Sequence, residues 1–144
     1  MSWIYNHTVF HPEDIPEKAV GFIYQMTVEI EEGIPLYYIG KKNFSADVKT
    51  KLGKKVLATV KDKRLKKYKR VKKLTYENYY SSNEVLIKAH KEGKDIYREI
   101  LQICYSKSEL TYSECKWLFL EEVLEHEEYL NNNILGKFYR GKIK

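Results

Sequence analysis

Two apolar runs that contain tyrosine flank a short acidic turn near the start of the chain, and this pattern constrains the fold more than any other. Residues 20–30 alternate in part and are rich in β-branched and aromatic residues, which is typical of a strand. Residues 31–35 contain a glycine and a proline and predict a turn. Residues 36–40 then fit the returning strand. We therefore predict an antiparallel hairpin that carries Tyr24 and Tyr38 on its two strands.

The pattern after the hairpin predicts a helix followed by a third strand. Asn83 or Ser82 can cap a helix that runs through EVLIKAHKE, and Gly93 can end it. Residues 96–105, IYREILQICY, are apolar enough and short enough to fit a strand. This strand would pack beside the hairpin.

A second helix is predicted after that strand. Ser106 can begin it, and Thr111-x-x-Glu114 also matches a capping box. An apolar stripe at helical spacing continues to about Glu128. The order strand, strand, basic insert, helix, strand, helix predicts an α+β fold. We expect a small central, mainly antiparallel β-sheet of about three strands flanked by helices.

The 144 residues fit a single domain, 1–144, whose 43% hydrophobic and 14% aromatic content is typical of a globular chain. Residues 1–18 contain two prolines and predict an extended or turned N-terminal arm. Residues 41–74 form a basic insert for which helix and extended ribbon both stay open, with a short strand possible at KKVLATVKD. Residues 130–144 form a basic tail.

The positive charge is concentrated in one segment. Residues 41–73 hold 15 Lys and Arg against two Asp, whereas the rest of the chain is net acidic and the whole chain carries +6. A segment of this kind attracts phosphate and releases counterions when it binds nucleic acid. A solvated lysine-rich loop is the alternative. Interleaved tyrosines favour nucleic acid, so we predict contacts by the basic residues of the insert: Lys54, Lys55, Lys63, Arg64, Lys66, Lys67, Lys69, Arg70, Lys72 and Lys73.

Several classes of protein are disfavoured by what the sequence lacks. It has no Cys or His set at zinc spacing, no phosphate-binding glycine loop and no GxSxG motif. It has no apolar run long enough to span a membrane and no signal-peptide pattern, and Cys104 and Cys115 read as buried free thiols. We therefore expect an intracellular protein without a membrane partner or a small-molecule cofactor.

Tyrosines, lysines and a few carboxylates are the chemically active residues that remain. This set suits phosphodiester hydrolysis, in which water must be activated, a charged phosphorane must be stabilised and a divalent cation is commonly held by a carboxylate. Tyrosine is a poor base at a pKa of about 10, but nearby cations lower the cost of proton transfer.

The motifs FIY at Phe22–Tyr24 and YIG at Tyr38–Gly40 resemble the signature of the GIY-YIG nuclease superfamily. The resemblance continues through YIGKK, YYSSNEVL, Gly93, REILQIC and SELTYSECKWLF, in the order that these nucleases have. It covers residues 21–119 and is closest to the phage freestanding group of SegE-like endonucleases. The resemblance implies a DNA endonuclease, carried by a phage or another mobile element, that acts on double-stranded DNA.

The resemblance also implies roles for individual residues. Tyr24 and Tyr38 would lie side by side, and one would act as, or assist, the general base. Gly40 would allow a tight exit of the backbone. Lys41 and Lys42 stand where relatives have a basic residue or a histidine near the scissile phosphate, with Lys42 the preferred counterpart.

Glu114 matches the glutamate that holds Mg²⁺ (or Mn²⁺) in these nucleases. The alternative is that Glu114 only completes the capping box of Thr111. Tyr80 matches a loop tyrosine that can hydrogen-bond a phosphate or orient a lysine, and packing at the sheet edge is its alternative.

The sequence departs from the pattern at three places. Phe22 and Ser81 each stand where relatives have glycine. The arginine that relatives place on the helix after YIG has no match, and Lys88 is the candidate there, with Arg64 or Arg70 of the insert as alternatives. A non-catalytic nucleic-acid-binding protein on the same scaffold fits the charge pattern equally well. A protein-binding decoy that uses the acidic residues of 109–128 is a third, weaker hypothesis.

Overall fold

The computed structural model describes residues 2–51 and 68–143 of the chain. In this part of the chain the helices are α1 (Glu84–Lys91) and α2 (Lys107–Leu120), and a 3₁₀ turn covers Pro12–Asp14. The strands are β1 (Trp3–Tyr5), β2 (Thr8–Val9), β3 (Gly21–Glu31), β4 (Ile34–Asn43), β5 (Ser45–Lys51), β6 (Tyr68–Leu74), β7 (Ile96–Cys104), β8 (Asn133–Ile134) and β9 (Phe138–Tyr139).

The main sheet has five strands in the order β2-β1-β7-β3-β4. The predicted α+β class is confirmed, because α1 and α2 flank this sheet. The expected number of about three strands is too small, since the N-terminal arm adds β1 and β2. Strand β1 lies parallel to β7, with Trp3 opposite Arg98. Trp3 is only 2% exposed, and its ring packs edge-on against that of Phe22 with 4.9 Å between ring centroids. Burial of apolar surface therefore holds the arm in place.

The predicted hairpin is confirmed and is longer than its sequence pattern indicated. Strands β3 and β4 pair antiparallel, with Tyr24 opposite Gly40 and Met26 opposite Tyr38. Gly33 takes a φ of 81° at the turn, which a residue without a Cβ adopts at no steric cost. Because β4 continues to Asn43, it carries both lysines of YIGKK as regular strand residues.

Alternation along β3 sends neighbouring side chains into two different cores. Phe22 and Tyr24 lie on the face that packs with Leu86 of α1. Ile23 lies on the opposite face, against Leu110 of α2. A fully buried side chain of this size contributes about 1.5–3 kcal/mol, so each helix is fixed to the sheet by its own apolar cluster.

Both helices begin at polar caps that the sequence indicated. The Asn83 side chain accepts hydrogen bonds from the backbone N–H groups of α1, and Ser106 does the same for α2 through Glu109. The Glu109 carboxylate in turn accepts from the N–H of Tyr105, the residue before the N-cap, so Ser106 and Glu109 together satisfy two backbone N–H groups at the start of α2. The capping box that Thr111 suggested is wrong, because Thr111 lies inside the helix. Among the described residues, no helix is long and apolar enough to cross a membrane.

Helix α2 ends at Leu120, and the expectation that it runs to about Glu128 is wrong. Glu122 has a φ of 49°. The N–H of Glu122 donates to the carbonyl of Phe119, and the N–H of Val123 donates to the carbonyl of Leu118. These contacts are a Schellman motif that ends a helix at a left-handed residue. The apolar stripe misled the prediction because Val123 is buried by the motif rather than by further helix.

The described part of the basic insert is an extended ribbon. Strands β5 and β6 pair antiparallel from Ser45 opposite Leu74 to Lys51 opposite Tyr68. The choice between helix and ribbon is therefore settled for these strands. The short strand predicted at KKVLATVKD lies outside the described residues. Cys104 and Cys115 are both free thiols, as predicted.

The left-handed residue at the end of α2 provides a test of this account. Glu122 is exposed, so replacing it by glycine removes backbone strain without loss of a packed side chain. We expect Glu122→Gly to raise the free energy of unfolding by about 1 kcal/mol in urea denaturation. Lys116→Gly, at an exposed position inside the helix, is the control and should lower it by about 1 kcal/mol. A loss of stability in Glu122→Gly would contradict the assignment.

Candidate active site

Three tyrosines meet where β3, β4 and the loop before α1 come together. The rings of Tyr24 and Tyr38 lie 6.3 Å apart between centroids, and those of Tyr24 and Tyr79 lie 5.8 Å apart. The Tyr24 hydroxyl donates to the Tyr79 hydroxyl at 3.5 Å. The two tyrosines that the motifs indicated are therefore neighbours, and a third tyrosine joins them.

Gly40 makes room for the ring of Tyr24. A Cβ atom at position 40 would lie 2.5 Å from the Tyr24 hydroxyl oxygen and 2.7 Å from its ring carbon Cζ. Gly40 is also the cross-strand partner of Tyr24. The glycine of YIG thus serves close packing of a tyrosine against the backbone, and the tight backbone exit that we predicted for it is wrong, because Gly40 lies inside β4.

Strand β4 is the edge of the main sheet, and other parts of the chain cover its outward N–H groups. The N–H of Tyr37 donates to the carbonyl of Glu128 at 2.8 Å. The side chain of Asn131 accepts from the N–H of Ile39 at 3.1 Å and donates to its carbonyl at 2.8 Å. The next outward N–H belongs to Lys41, and the Glu114 carboxylate lies close enough to this group for it to lower the carboxyl's pKa.

Glu114 therefore reaches the edge of β4 from α2. Burial raises the pKa of Glu114, while the charge of Lys41 and its backbone hydrogen bond oppose that rise. The Lys41 ammonium also donates to the Thr111 hydroxyl at 2.9 Å. This places the carboxylate at the sheet edge, so its alternative role as a helix-cap partner does not hold.

Lys42 faces the tyrosines, since strand alternation puts it on the opposite side from Lys41. Its ammonium lies 4.8 Å from the centroid of the Tyr79 ring. The side chain is half-buried, and burial lowers the pKa of Lys42. One lysine thus accompanies the tyrosines and the other accompanies the carboxylate.

The phenols are held in their neutral form. Burial raises the pKa of Tyr24 strongly, and Tyr79 raises it further, whereas a hydrogen bond from Ser81 opposes the rise. Burial also raises the pKa of Tyr38, and the charges of Tyr79 and Glu114 act in the same direction. Tyr38 is the more accessible of the pair, because Tyr24 is only 1% exposed.

Ser81 explains one departure from the pattern. It has a φ of 75°, a left-handed conformation that glycine adopts most easily, which fits the glycine that relatives have at this position. The Ser81 hydroxyl accepts from the N–H of Asn83 at 3.0 Å. The serine therefore retains the turn and adds a hydroxyl group beside Tyr24.

The remaining predicted catalytic residues lie elsewhere on the surface of the fold. Tyr80 stacks on His90 with 3.9 Å between ring centroids, and the guanidinium of Arg98 lies 4.2 Å from the centroid of the Tyr80 ring. Lys88 is exposed on α1, and its Nζ lies 4.0 Å from Oε1 of Glu92. The catalytic roles of Tyr80 and Lys88 stay predictions.

The predicted DNA-binding residues fall partly on the ribbon. Lys72 and Lys73 are exposed on β6, and Lys69 and Arg70 are residues of the same strand. The others lie outside the described residues: Lys54, Lys55, Lys63, Arg64, Lys66 and Lys67. Two adjoining grooves, of about 390 and 640 Å³, connect Lys41 and Lys42 with Lys107 and the base of the ribbon at Lys72.

Tyr79 is the residue that sequence reasoning missed. It belongs to the TYENYYSS segment, where Tyr76, Tyr79 and Tyr80 are all candidates. The resemblance was assigned to Tyr80. The loop tyrosine of the Y-x-GS pattern stands two residues before the glycine that Ser81 replaces, so the spacing itself indicated Tyr79 and could have found it.

The donor set near the tyrosines fits a magnesium ion with one protein ligand. No group of three or more His, Cys, Asp or Glu side chains comes together within residues 2–51 and 68–143. Mg²⁺ commonly binds one or two carboxylates and completes its shell with water and substrate phosphate. Glu114, accessible from the same edge as Tyr38, suits that mode.

The sheet edge combines tyrosines, two lysines and one carboxylate beside a basic ribbon, and these are the residue types that phosphodiester hydrolysis uses. The model of the family "Putative endonuclease segE, GIY-YIG domain" matches residues 3–134, so the chain belongs to this family of GIY-YIG endonuclease domains and the resemblance is confirmed. No curated protein and no solved structure matches the chain significantly.

The contact between Gly40 and Tyr24 predicts a separation of function from stability. Gly40→Ala should displace the Tyr24 ring and lower plasmid nicking by about 100-fold, with a stability loss of about 1–3 kcal/mol from overpacking. Gly93→Ala is the matched control. Position 93 has a φ of 75° and no atom close to a new Cβ, so it should lose about 1 kcal/mol and keep its nicking rate. Equal nicking by the two variants would contradict the role of Gly40.

Proposed function

We propose that the protein is a metal-dependent endonuclease that hydrolyses phosphodiester bonds of double-stranded DNA. The observation that carries the proposal is that Tyr24, Tyr38 and Lys42 lie together on one side of the edge strand β4, while Glu114 reaches the same edge beside Lys41 and is near enough to raise the pKa of Tyr38. Family membership supports a nucleic acid substrate. It is also our reason to propose a phage or mobile-element origin and action inside a host cell.

DNA binding is proposed to begin on the basic ribbon and the grooves beside it. The lysines of β6 and Lys107 flank the path to the centre, and phosphate contacts of this kind give affinity and orientation without sequence preference. The proposed contacts include all the basic residues that the sequence indicated in the insert. Lys88 is proposed as a further backbone contact, because it is exposed.

At the scissile phosphate, Tyr38 is proposed to hold the attacking water. Tyr38 is accessible, and its hydroxyl oxygen can accept a hydrogen bond from water. Tyr24 is only 1% exposed and its hydroxyl donates to Tyr79, so it is proposed to assist Tyr38 and not to contact the water itself. Their raised pKa values make the phenols poor bases alone, and the proton transfer therefore depends on nearby positive charge.

Positive charge is proposed to come from Lys41 and Lys42. Lys42 lies on the tyrosine side of β4, where it can offset charge on the phosphorane oxygens, and Lys41 lies on the Glu114 side. A magnesium or manganese ion held by Glu114 would supply Lewis-acid stabilisation of the phosphate when bound. One such centre cuts one strand at a time.

The first experiment measures conversion of supercoiled plasmid to nicked circles with Mg²⁺, with Mn²⁺ and with chelator. We expect wild type to nick with a divalent ion, and Tyr38→Phe and Glu114→Gln to lose about 100-fold or more. Tyr97→Phe, an exposed tyrosine on β7, is the control and should match wild type. Wild-type protein that binds DNA but never nicks it would favour the non-catalytic binding protein instead.

The second experiment tests Glu114 without cleavage. Since burial raises its folded pKa above the unfolded value, ionisation costs more in the folded state, and stability falls as pH rises through the folded pKa. Glu114→Gln removes that charge and should raise Tm by about 2–4 °C at pH 7, with the difference vanishing near pH 4.

A divalent ion gives the second arm of this experiment. Mg²⁺ or Mn²⁺ should raise the Tm of wild type and leave that of Glu114→Gln unchanged, because only the wild-type folded state offers the ligand. An equal rise of Tm in both proteins would show that Glu114 does not bind the metal. Glu109→Gln, which lies at the start of α2, controls for loss of an acidic residue on the same helix.

A further inference from the structure

The loop before α1 is anchored by contacts that lie outside the tyrosine cluster. Residues 75–83 form neither helix nor strand, yet they bring Tyr79 and Ser81 to the hydroxyl of Tyr24. The ring of Tyr79 also receives the ammonium of Lys42. A loop that must fix a hydroxyl within hydrogen-bond distance needs anchors of its own.

Arg98 is the main anchor. It lies on β7, is only 3% exposed, and donates from one guanidinium nitrogen to the backbone carbonyls of Glu77 at 2.8 Å and Tyr79 at 3.0 Å. Burying a charged group is costly unless it gains well-placed hydrogen bonds. The hydrogen bond to the carbonyl of Tyr79 helps to offset this cost, and it also fixes the backbone of residues 75–83 beside the tyrosines.

Aromatic rings fix the guanidinium plane. Its central carbon lies 4.6 Å from the ring centroid of Trp3 and 4.2 Å from that of Tyr80. Trp3 also donates its indole N–H to the carbonyl of Tyr76 at 2.9 Å. The N-terminal arm and β7 therefore hold three carbonyls of one loop, and a planar guanidinium that lies over two aromatic rings suits this position better than an ammonium would.

We infer that Tyr79 orients the Tyr24 hydroxyl in the active centre and that Arg98 is a positioning residue that acts through Tyr79. This inference rests on the proposed nuclease function. The role of Tyr79 follows from the hydrogen bond between the two hydroxyls and from the lysine over its ring. Arg98 is held away from solvent behind the loop, so it contacts the backbone of the loop and not the substrate.

A double-mutant cycle tests the inference. Tyr79→Phe removes the hydroxyl and keeps the ring, and it should lower the nicking rate at saturating DNA about 10-fold with little change in KM. Arg98→Lys keeps the positive charge and loses the planar guanidinium, and it should lower the nicking rate by a similar factor. The double variant should be no slower than Tyr79→Phe alone, because residues that act through one another are not additive.

If the rate losses of the two single variants multiply in the double variant, the role of Arg98 is overturned. If Tyr79→Phe nicks as fast as Tyr97→Phe, the role of Tyr79 is overturned. A merely structural Arg98 would lower Tm and leave the cycle additive. Trp3→Phe provides a second variant should Arg98→Lys fold poorly. It loses the indole N–H bond to Tyr76 and keeps an aromatic ring, and it should slow the rate in wild type but not in Tyr79→Phe.

A measurement without cleavage separates this inference from the nuclease proposal. In protein labelled at the tyrosine ring carbon Cζ, the NMR resonance of Tyr24 should shift in Tyr79→Phe and shift in the same direction in Arg98→Lys. Tyr97→Phe should leave it unchanged. An unmoved Tyr24 resonance would overturn the inference even where wild type nicks DNA, and a shift in a protein that never nicks DNA would fail only the nuclease proposal.

Discussion

The outer edge of β4 is the constraint on which the rest of the centre depends. An edge strand presents unpaired N–H groups, which are costly when covered without partners and invite pairing with other chains when exposed. Here the stretch after α2 supplies a carbonyl and the Asn131 amide to Tyr37 and Ile39. The Glu114 carboxylate lies close to the next N–H, that of Lys41. The edge is therefore covered up to the point where the substrate phosphate would lie.

The covering segment is itself fixed by the C-terminal tail. The guanidinium of Arg140 donates to the carbonyls of His126 at 3.0 Å, Tyr129 at 2.8 Å and Asn131 at 2.8 Å. A basic tail that looked like a surface feature thus contributes at least one cation to internal structure. Since Asn131 is 5% exposed and bonds both backbone groups of Ile39, the tail indirectly sets the strand that carries Tyr38.

Local pattern was sufficient for the parts of the fold that local forces determine. Alternation predicted the hairpin, and polar caps predicted the starts of α1 and α2. The strands of the arm were missed because β1 pairs with β7, more than 90 residues away, and only the assembled core makes that pairing favourable. The end of α2 was missed because Glu122, and not a glycine, occupies the left-handed position.

The arrangement of the candidate residues was predictable to the same extent, while their roles stay predictions. Motif spacing indicated Tyr24, Tyr38 and Glu114, since each lies on a regular element whose direction follows from its period. Gly40 was identified by its motif, but its reason needed the ring of Tyr24 in place. The spacing to Ser81 indicated Tyr79, which the prediction confused with its neighbour Tyr80, and the contacts that anchor the loop come from Trp3 and Arg98 on distant strands.

The cations divide their work according to their shapes. The sequence left open which residue replaces the arginine that relatives place near the phosphate. In the described part of the chain, Arg98 lies behind the loop, where one guanidinium nitrogen donates to two carbonyls and the guanidinium plane lies over two rings. Lys41 and Lys42 lie on the two sides of β4, at the edge where we propose that the phosphate binds. We therefore propose that Arg98 serves positioning and that, among the described residues, the two lysines of YIGKK compensate the phosphate charge.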